Sequence, residues 1–319
     1  MAMKLGELYR LAVRLGIEKD PRPKEDIEAE LQRAAKKYDM LTGKEKERFD
    51  IDSLWNPFPD SRLLFGDDAA EIRGVLWGID IGTGEMVLAD RLKEKGRKID
   101  AVIGHHPLGK ARNTFPEALH TLARMMENEG VPENVSEGVM APRIRDVHNI
   151  VVGENSNQPV DAARLLNMPF MCLHSCTDVL VQRFIKDHLA SKDPRRVENV
   201  IEALLELPEV DHMARLGNYP EVRVGDGSRK VGKIMVKMAG GTAGPKEMFE
   251  KLADAGVGTY ICMHLPDAHL EEAKKNHINI IISGHMGCDS LGVNLLADEV
   301  EGRGVEITPC SGYVRVRRK

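Results

Sequence analysis

"EIRGVLWGIDIGTGEMVLADRLKEKGRKIDAVIGHHP", residues 71–107, decides the fold. The run Val75–Ile81 is β-like, Glu85–Lys95 has helical spacing, and Asp100–Ile103 is β-like again. A strand, a helix and a second strand in that order make a β-α-β unit with parallel strands. The unit ends in two adjacent histidines, His105 and His106, clamped between Gly104 and Pro107.

Downstream, the spacing predicts a helix over 116–129, a strand "HNIVVG" over 148–153 and a helix near 159–166. "MPFMCLHSCTD" (168–178) is another apolar run ending in histidine. A helical stretch over 181–206 is interrupted by "SKDPRR", where Asp193 and Pro194 suit an N-cap and a first helical position. A second β/α series follows: "VGKIMVKMAGG", "VGTYICMH" and "INIIISGH" as strands, with "GPKEMFEKLADAG", "PDAHLEEAKKN" and "SLGVNLLADEVEGRG" as helices after them. "VEITPCSGYVRVRR" closes the chain with edge-like strand material. Two such series predict an α/β protein with a first lobe over 51–183 and a second over 184–319, the last strands being free to return to the first. Upstream, residues 1–50 are rich in Lys, Arg and Glu at helical spacing (Leu5, Leu8, Leu11, then Ile27, Leu31, Ala35), broken by "KDPRPKED". They predict a helical N-terminal extension of two exposed helices, joined to the lobes by a loop-rich stretch over 53–67.

Composition narrows the function classes. A chain of 319 residues that is 42% hydrophobic can bury one large or two medium cores. A net charge of −5 and few aromatic residues give no electrostatic or stacking basis for nucleic-acid binding. No apolar stretch approaches the roughly 20 residues that span a bilayer, and the amphipathic "MAMKLGELYRLAVRLG" lacks a small-residue cleavage site, so a cytoplasmic protein is expected. The cysteines at 172, 176, 262, 288 and 310 form no C-x-x-C pair and are expected to be reduced core thiols.

Eleven histidines make one doublet unremarkable by chance, and the His-x-x-x-Asp spacings at 174/178 and 285/289 are no rarer than composition allows. Placement is more informative. His105, His174, His285 and also His264 each follow an apolar β-like run, and in open α/β sheets ligands gather outside the carboxyl ends of strands. Gly104 lets the backbone turn and Pro107 keeps His106 extended, so both imidazoles can reach one cleft. A metal pair needs several nitrogen ligands and a carboxylate able to bridge, which Asp178 or Asp289 can supply. Hydrogen-bonded strand-end caps are the alternative role for the same histidines. "DIGTGE" (80–85) and "MAGGTAGPKE" (238–247) look like phosphate loops, but no second loop or adenosine motif accompanies them; Thr83 suits an N-cap and Pro245 a first helical position.

"GHHPLG", "HSCTD" and "SGHMGCDS", in this order with β/α segments between them, resemble the Nif-three-like family, often called GTP cyclohydrolase I type 2 family proteins. "VLWGIDIGTGEMVLADRL" is similar to that family's first strand and helix, and "LLFGD" to its entry segment. The likeness covers about residues 53–319. It implies two intertwined three-layer α/β/α lobes with mixed sheets, usually in a ring-shaped homohexamer, around a site for two divalent ions per chain. Carried over by position, the ligands are His105, His106, His174, Asp178, His285 and Asp289. Imidazole and carboxylate ligands suit Zn, Fe, Mn or Co. Asp289 stands where the family usually has Glu, and Ser175-Cys176-Thr177 replace its usual Thr-Asn-Leu. The span from Asp178 to Val231 is too short for the domain of roughly 100 residues that some members insert there. A metal-dependent hydrolase of an unknown small molecule is the first functional expectation; a metal carrier, regulator or scaffold without turnover is the second.

Overall fold

The computed structural model of the protein describes residues 3–318. The chain begins with β1 (Met3–Lys4), α1 (Leu5–Lys19), α2 (Lys24–Met40) and a short α3 (Gly43–Glu47). The expectation of two exposed N-terminal helices holds for α2, whose one buried residue is Ile27, and fails for α1. Leu5, Leu8, Tyr9, Leu11, Ala12 and Val13 of α1 are all buried in the main core, because they make an apolar face too broad for a solvated appendage. Gly16 brings α1 against Phe58 and the backbone of Cys176, where a Cβ would lie within 3.0 Å of both. Tyr9 is tied down at its hydroxyl, which donates to the Ser61 carbonyl at 2.9 Å and accepts from Asn56 at 2.8 Å. β1 pairs antiparallel with β3 (Glu71–Ile72), so residues 3–19 belong to the body of the fold.

The loop-rich stretch before the first β-α-β unit contains a short strand, β2 (Arg62–Phe65). The unit itself is β4 (Gly74–Gly78), α4 (Thr83–Glu94) and β5 (Ala101–Gly104). Gly82 rather than Thr83 is the N-cap of α4, and the Glu85 carboxylate accepts from the Gly82 N–H at 2.8 Å. After α5 (Gly109–Asn113), α6 (His120–Asn128) and α7 (Glu133–Val152) comes α8 (Gln158–Leu165), then β6 (Phe170–Cys172) and α9 (Ser175–Lys192). The strand expected over 148–153 is therefore the end of α7. Met140, Ile144, Val147 and Val151 recur at intervals of four, three and four and face the core, while Ile150 and Val152 are exposed, so helical periodicity outweighs the β-branched run.

Asp193, expected as an N-cap, instead ends α9 in the left-handed region at φ +44°, and α10 (Val197–Leu205) starts after Arg196. α11 (Pro208–Arg215), β7 (Glu221–Val224), β8 (Lys233–Lys237), α12 (Met248–Asp254), β9 (Val257–Cys262), α13 (Asp267–Lys275), β10 (Asn279–Ile282), α14 (His285–Glu301) and β11 (Glu306–Cys310) complete the chain. Pro245 precedes α12 by three residues and is not its first position.

Two mixed sheets result, in strand orders β11-β4-β5-β6-β2 and β7-β10-β9-β8. Each is parallel except at one edge, β2 in the first and β7 in the second. The chain's last strand, β11, joins the first sheet beside β4, so the two β/α series are linked at both ends. Both faces of the first sheet are covered: Val75, Trp77, Ile103 and Met171 enter one core, and Leu76, Val102, Phe170 and Cys172 enter a second beneath α4 and α8. The second sheet divides likewise, Met235, Tyr260 and Ile280 on one face against Val236, Ile261 and Ile281 on the other. α9 and α14 supply residues to both of the larger cores. Gly292 of α14 makes their close contact feasible, since a Cβ there would stand 2.6 Å from the Thr177 carbonyl oxygen.

Candidate metal centre

The carboxyl ends of β5, β6 and β10 carry the histidines. His105 and His106 follow β5, and their backbone N–H groups donate to the Ile79 carbonyl at 3.2 and 3.0 Å, which anchors the doublet to the end of β4. His174 is the N-cap of α9 and Asp178 lies one turn in; His285 opens α14 and Asp289 lies one turn in. Because α9 and α14 pack closely, the two aspartates approach the same histidine. His105 Nε2 is 3.4 Å from Asp178 Oδ1 and 3.6 Å from Asp289 Oδ1. His174 Nε2 faces Asp178 Oδ2 at 3.6 Å, while His106 Nε2 and His285 Nε2 face Asp289 Oδ2 at 3.3 and 3.2 Å. All six residues expected from the sequence are thus brought together.

The other ring nitrogens fix which atoms point inward. His105 Nδ1 lies 3.2 Å from the Leu173 carbonyl and 3.0 Å from the Thr177 hydroxyl, His106 Nδ1 lies 2.6 Å from Asp80, and His174 Nδ1 lies 2.7 Å from Asp60. Each partner can accept a hydrogen bond from Nδ1, which directs Nε2 at the cluster. This is the arrangement by which outer carboxylates and carbonyls orient imidazole ligands. Sequence reasoning missed Asp60 and Asp80. Asp60 is fully buried and also accepts from the Ser175 hydroxyl at 2.6 Å, yet it sits in a Pro-rich connection with no motif around it.

Charge and burial separate the groups. Burial alone would raise the Asp289 pKa, but the surrounding histidines hold it well below the carboxylate range, so it is ionised. Burial raises the Asp178 pKa, with His174 and His105 opposing. Burial also opposes a charge on His106, but Asp289 and Asp80 outweigh it and push the imidazole up to about 10. His285 goes the other way, to about 4, because burial outweighs Asp289. The decisive feature is that His105 Nε2, Asp178 Oδ1 and both Asp289 oxygens are buried and make no hydrogen bond. Orphaned buried polar atoms of this kind are costly, and four converging at one point fit a bound cation. Three overlapping triads have ligand atoms close enough to share an ion: His105/His106/His174, His106/His285/Asp289 and His105/Asp178/Asp289. His264 is in none of them; it stands at the exposed rim, its ring 5.0 Å from that of His285.

The crystal structure of a NIF3 superfamily protein from Sphaerobacter thermophilus matches 98% of this chain and 100% of its own, with a TM-score of 0.76 and 27% identity. The chain is a NIF3-like protein. The match takes in the N-terminal helices, which the sequence motifs had left unexplained. Reduced HcgD from Methanocaldococcus jannaschii shares the fold at a TM-score of 0.51 and 13% identity, over 83% of this chain and 94% of that one. No family model matches the chain, and no curated protein matches it in sequence.

In this NIF3-like chain the cluster opens into a pocket of about 510 Å³, with His106 and His285 on the open side and Phe115, Arg143, Lys237, Met263 and His264 among its walls. A larger groove of about 1020 Å³ between α1 and α2 is lined by Leu11, Ile17, Ile27 and Leu31 together with Glu, Arg and Lys side chains, and no histidine is among its lining residues. Among the described residues no helix is long and apolar enough to cross a membrane.

Proposed function

We propose that this NIF3-like chain binds two divalent ions at His105, His106, His174, Asp178, His285 and Asp289 and hydrolyses a small-molecule substrate in the adjoining pocket. One observation carries this reading: His105 Nε2, Asp178 Oδ1, Asp289 Oδ1 and Asp289 Oδ2 are buried and, among the described residues, make no hydrogen bond, meeting only one another and the neighbouring imidazoles. Their distances support a division in which His174 and Asp178 serve one ion, His106, His285 and Asp289 the other, and His105 lies between. The donor set of four imidazoles and two carboxylates suits Zn, Fe, Mn or Co. When bound, such a pair would activate water near neutral pH and polarise the bond under attack. The residues of the chain do the positioning. Asp60 and Asp80 hold His174 and His106 with Nε2 inward, and the buried floor of His105 and Asp289 excludes bulk water from one side. His264, whose pKa is lowered by the partial burial of its ring against the pocket wall and by Lys237, presents a neutral imidazole at the rim that can accept a proton.

Assembly into a ring of copies belongs to the same reading and is supported by exposed apolar residues on the neighbouring helices α4 (Val87, Leu88) and α8 (Leu165). Five unpaired thiols support a reducing, cytoplasmic setting. The test is elemental analysis of protein purified without chelator, followed by a screen of the loaded protein against phosphate esters, nucleotides and cyclic amides. About two ions per chain, and a turnover that a His105→Ala/His106→Ala double variant lacks, are expected. Full metal content in that variant would refute the ligand assignment. Two ions that exchange readily with no turnover would favour a carrier.

A further inference from the structure

We propose that Lys237, Arg143 and the backbone of residues 241–243 form a recognition site for a phosphate group on the substrate. This rests on the reading of the neighbouring cluster as the reaction centre, and it names the class of molecule that the pocket admits. Lys237 ends β8 and lines the pocket, is 7% exposed, and has one hydrogen bond, to the Gly241 carbonyl at 3.2 Å. Among the described residues no carboxylate stands within ion-pair distance of it. Asp178 and Asp289 act on it only from beyond contact distance, and a buried ammonium with no ion pair of its own is costly unless a ligand supplies one. Arg143 of α7 lines the same pocket, and its Nε is buried without an acceptor. Arg112, the third cation there, is already held by Glu154 through two contacts of 2.7 and 2.9 Å.

The loop after Lys237 adds donors. Gly241, Thr242 and Ala243 line the pocket, and among the described residues no hydrogen bond from their backbone N–H groups is formed. The glycines alone have an ordinary explanation: Gly240 (φ +87°) lies so close to Leu122 that a Cβ would come within 2.9 Å of it. Packing does not explain why an ammonium is buried beside them. An ammonium, a guanidinium and backbone amides are three separate donor sources, and they suit the three terminal oxygens of a phosphate better than the two of a carboxylate. Burial drives the Lys237 pKa down, and a dianion seated against it would restore the charge. A volume of about 510 Å³ suits a phosphorylated small molecule.

The experiment titrates inorganic phosphate into metal-loaded protein by calorimetry, with metal content measured on the same samples. Wild-type protein should bind phosphate, and Lys237→Met and Arg143→Gln should each weaken it about tenfold or more while keeping their metal, whereas Lys237→Arg should largely retain it. Arg143 is less buried than Lys237, so Arg143→Gln carries the test if Lys237→Met does not fold. Undiminished binding in both charge-removing variants would place phosphate on the ions alone and overturn the proposal, as would no phosphate binding by metal-loaded wild type, or Lys237-dependent binding of malonate in its place. If the protein takes up no metal, the reaction-centre reading fails separately. The same titration on metal-free protein then decides this one: loss of binding in the variants supports it, and no difference refutes it.

Discussion

Replacing Asp60 by Asn tests whether the outer carboxylates of the cluster matter. Asp60 touches no proposed ion position. Its Oδ2 lies 2.7 Å from His174 Nδ1 and accepts from the Ser175 hydroxyl at 2.6 Å, while Oδ1 accepts from the Ser175 N–H at 3.2 Å. Burial would raise its pKa, but His174 and Ser175 hold it low, so the group is an anion. Asn keeps the shape and one acceptor, removes the charge, and turns an NH₂ toward the Ser175 N–H. Loss of an outer carboxylate behind an imidazole ligand typically weakens metal about 10- to 100-fold, which is about 1.4–2.7 kcal/mol. The donor left without an acceptor costs about 1–3 kcal/mol of folding stability besides. Chelator competition should show one ion weakened by that factor and the ion near His106 and His285 little changed. Thermal melting of the metal-free variant measures the stability loss separately. Equal weakening of both ions, or none, would refute the argument that Asp60 acts through His174.

Three further outcomes follow from other parts of the molecule. His106 is pushed up to about 10 in the metal-free protein, so it is protonated at pH 8 and must lose its proton to bind metal; affinity should rise with pH below that value, and calorimetry in buffers of different ionisation enthalpy should detect proton release on binding. No proton release at pH 8 would contradict the Asp80/Asp289 environment. Leu8→Ala removes a fully buried side chain from α1 and should cost about 2–5 kcal/mol by denaturant unfolding, where an exposed appendage would lose almost nothing. Gly292→Ala forces a methyl within 2.6 Å of the Thr177 oxygen and should cost about 1–3 kcal/mol while weakening metal retention, because it parts the helices that carry Asp178 and Asp289.

The sequence made the β-α-β unit legible because both of its strands are buried on both faces, so Val75–Gly78 and Ala101–Gly104 appear as continuous apolar runs with a helical period between them. The same logic located His105, His174 and His285, since each sits where such a run stops. It failed where local chemistry and tertiary packing disagree. The end of α7 reads as a strand because Ile150, Val151 and Val152 are β-branched, but its buried positions recur at helical intervals back to Met140. α1 reads as exposed because charged residues alternate with its leucines, yet Tyr9, Ala12, Val13 and Gly16 complete a face that closes over Phe58 and α9.

Asp60 was beyond reach for a different reason. It lies 114 residues from His174, and what brings it there is the antiparallel pairing of β2 with β6, which sets Arg62 opposite Cys172. No spacing rule connects positions joined only by sheet register. The two His-x-x-x-Asp pairs pose the same problem in milder form. Each pair follows from one helical turn, His174 to Asp178 and His285 to Asp289, and is visible in the chain. That both aspartates then face His105 is a property of the α9–α14 contact, which depends on a glycine three residues beyond Asp289. The candidate ligands are therefore local and legible, whereas the cluster is made by packing, which is why Gly292→Ala is expected to damage the proposed centre without altering any residue in it.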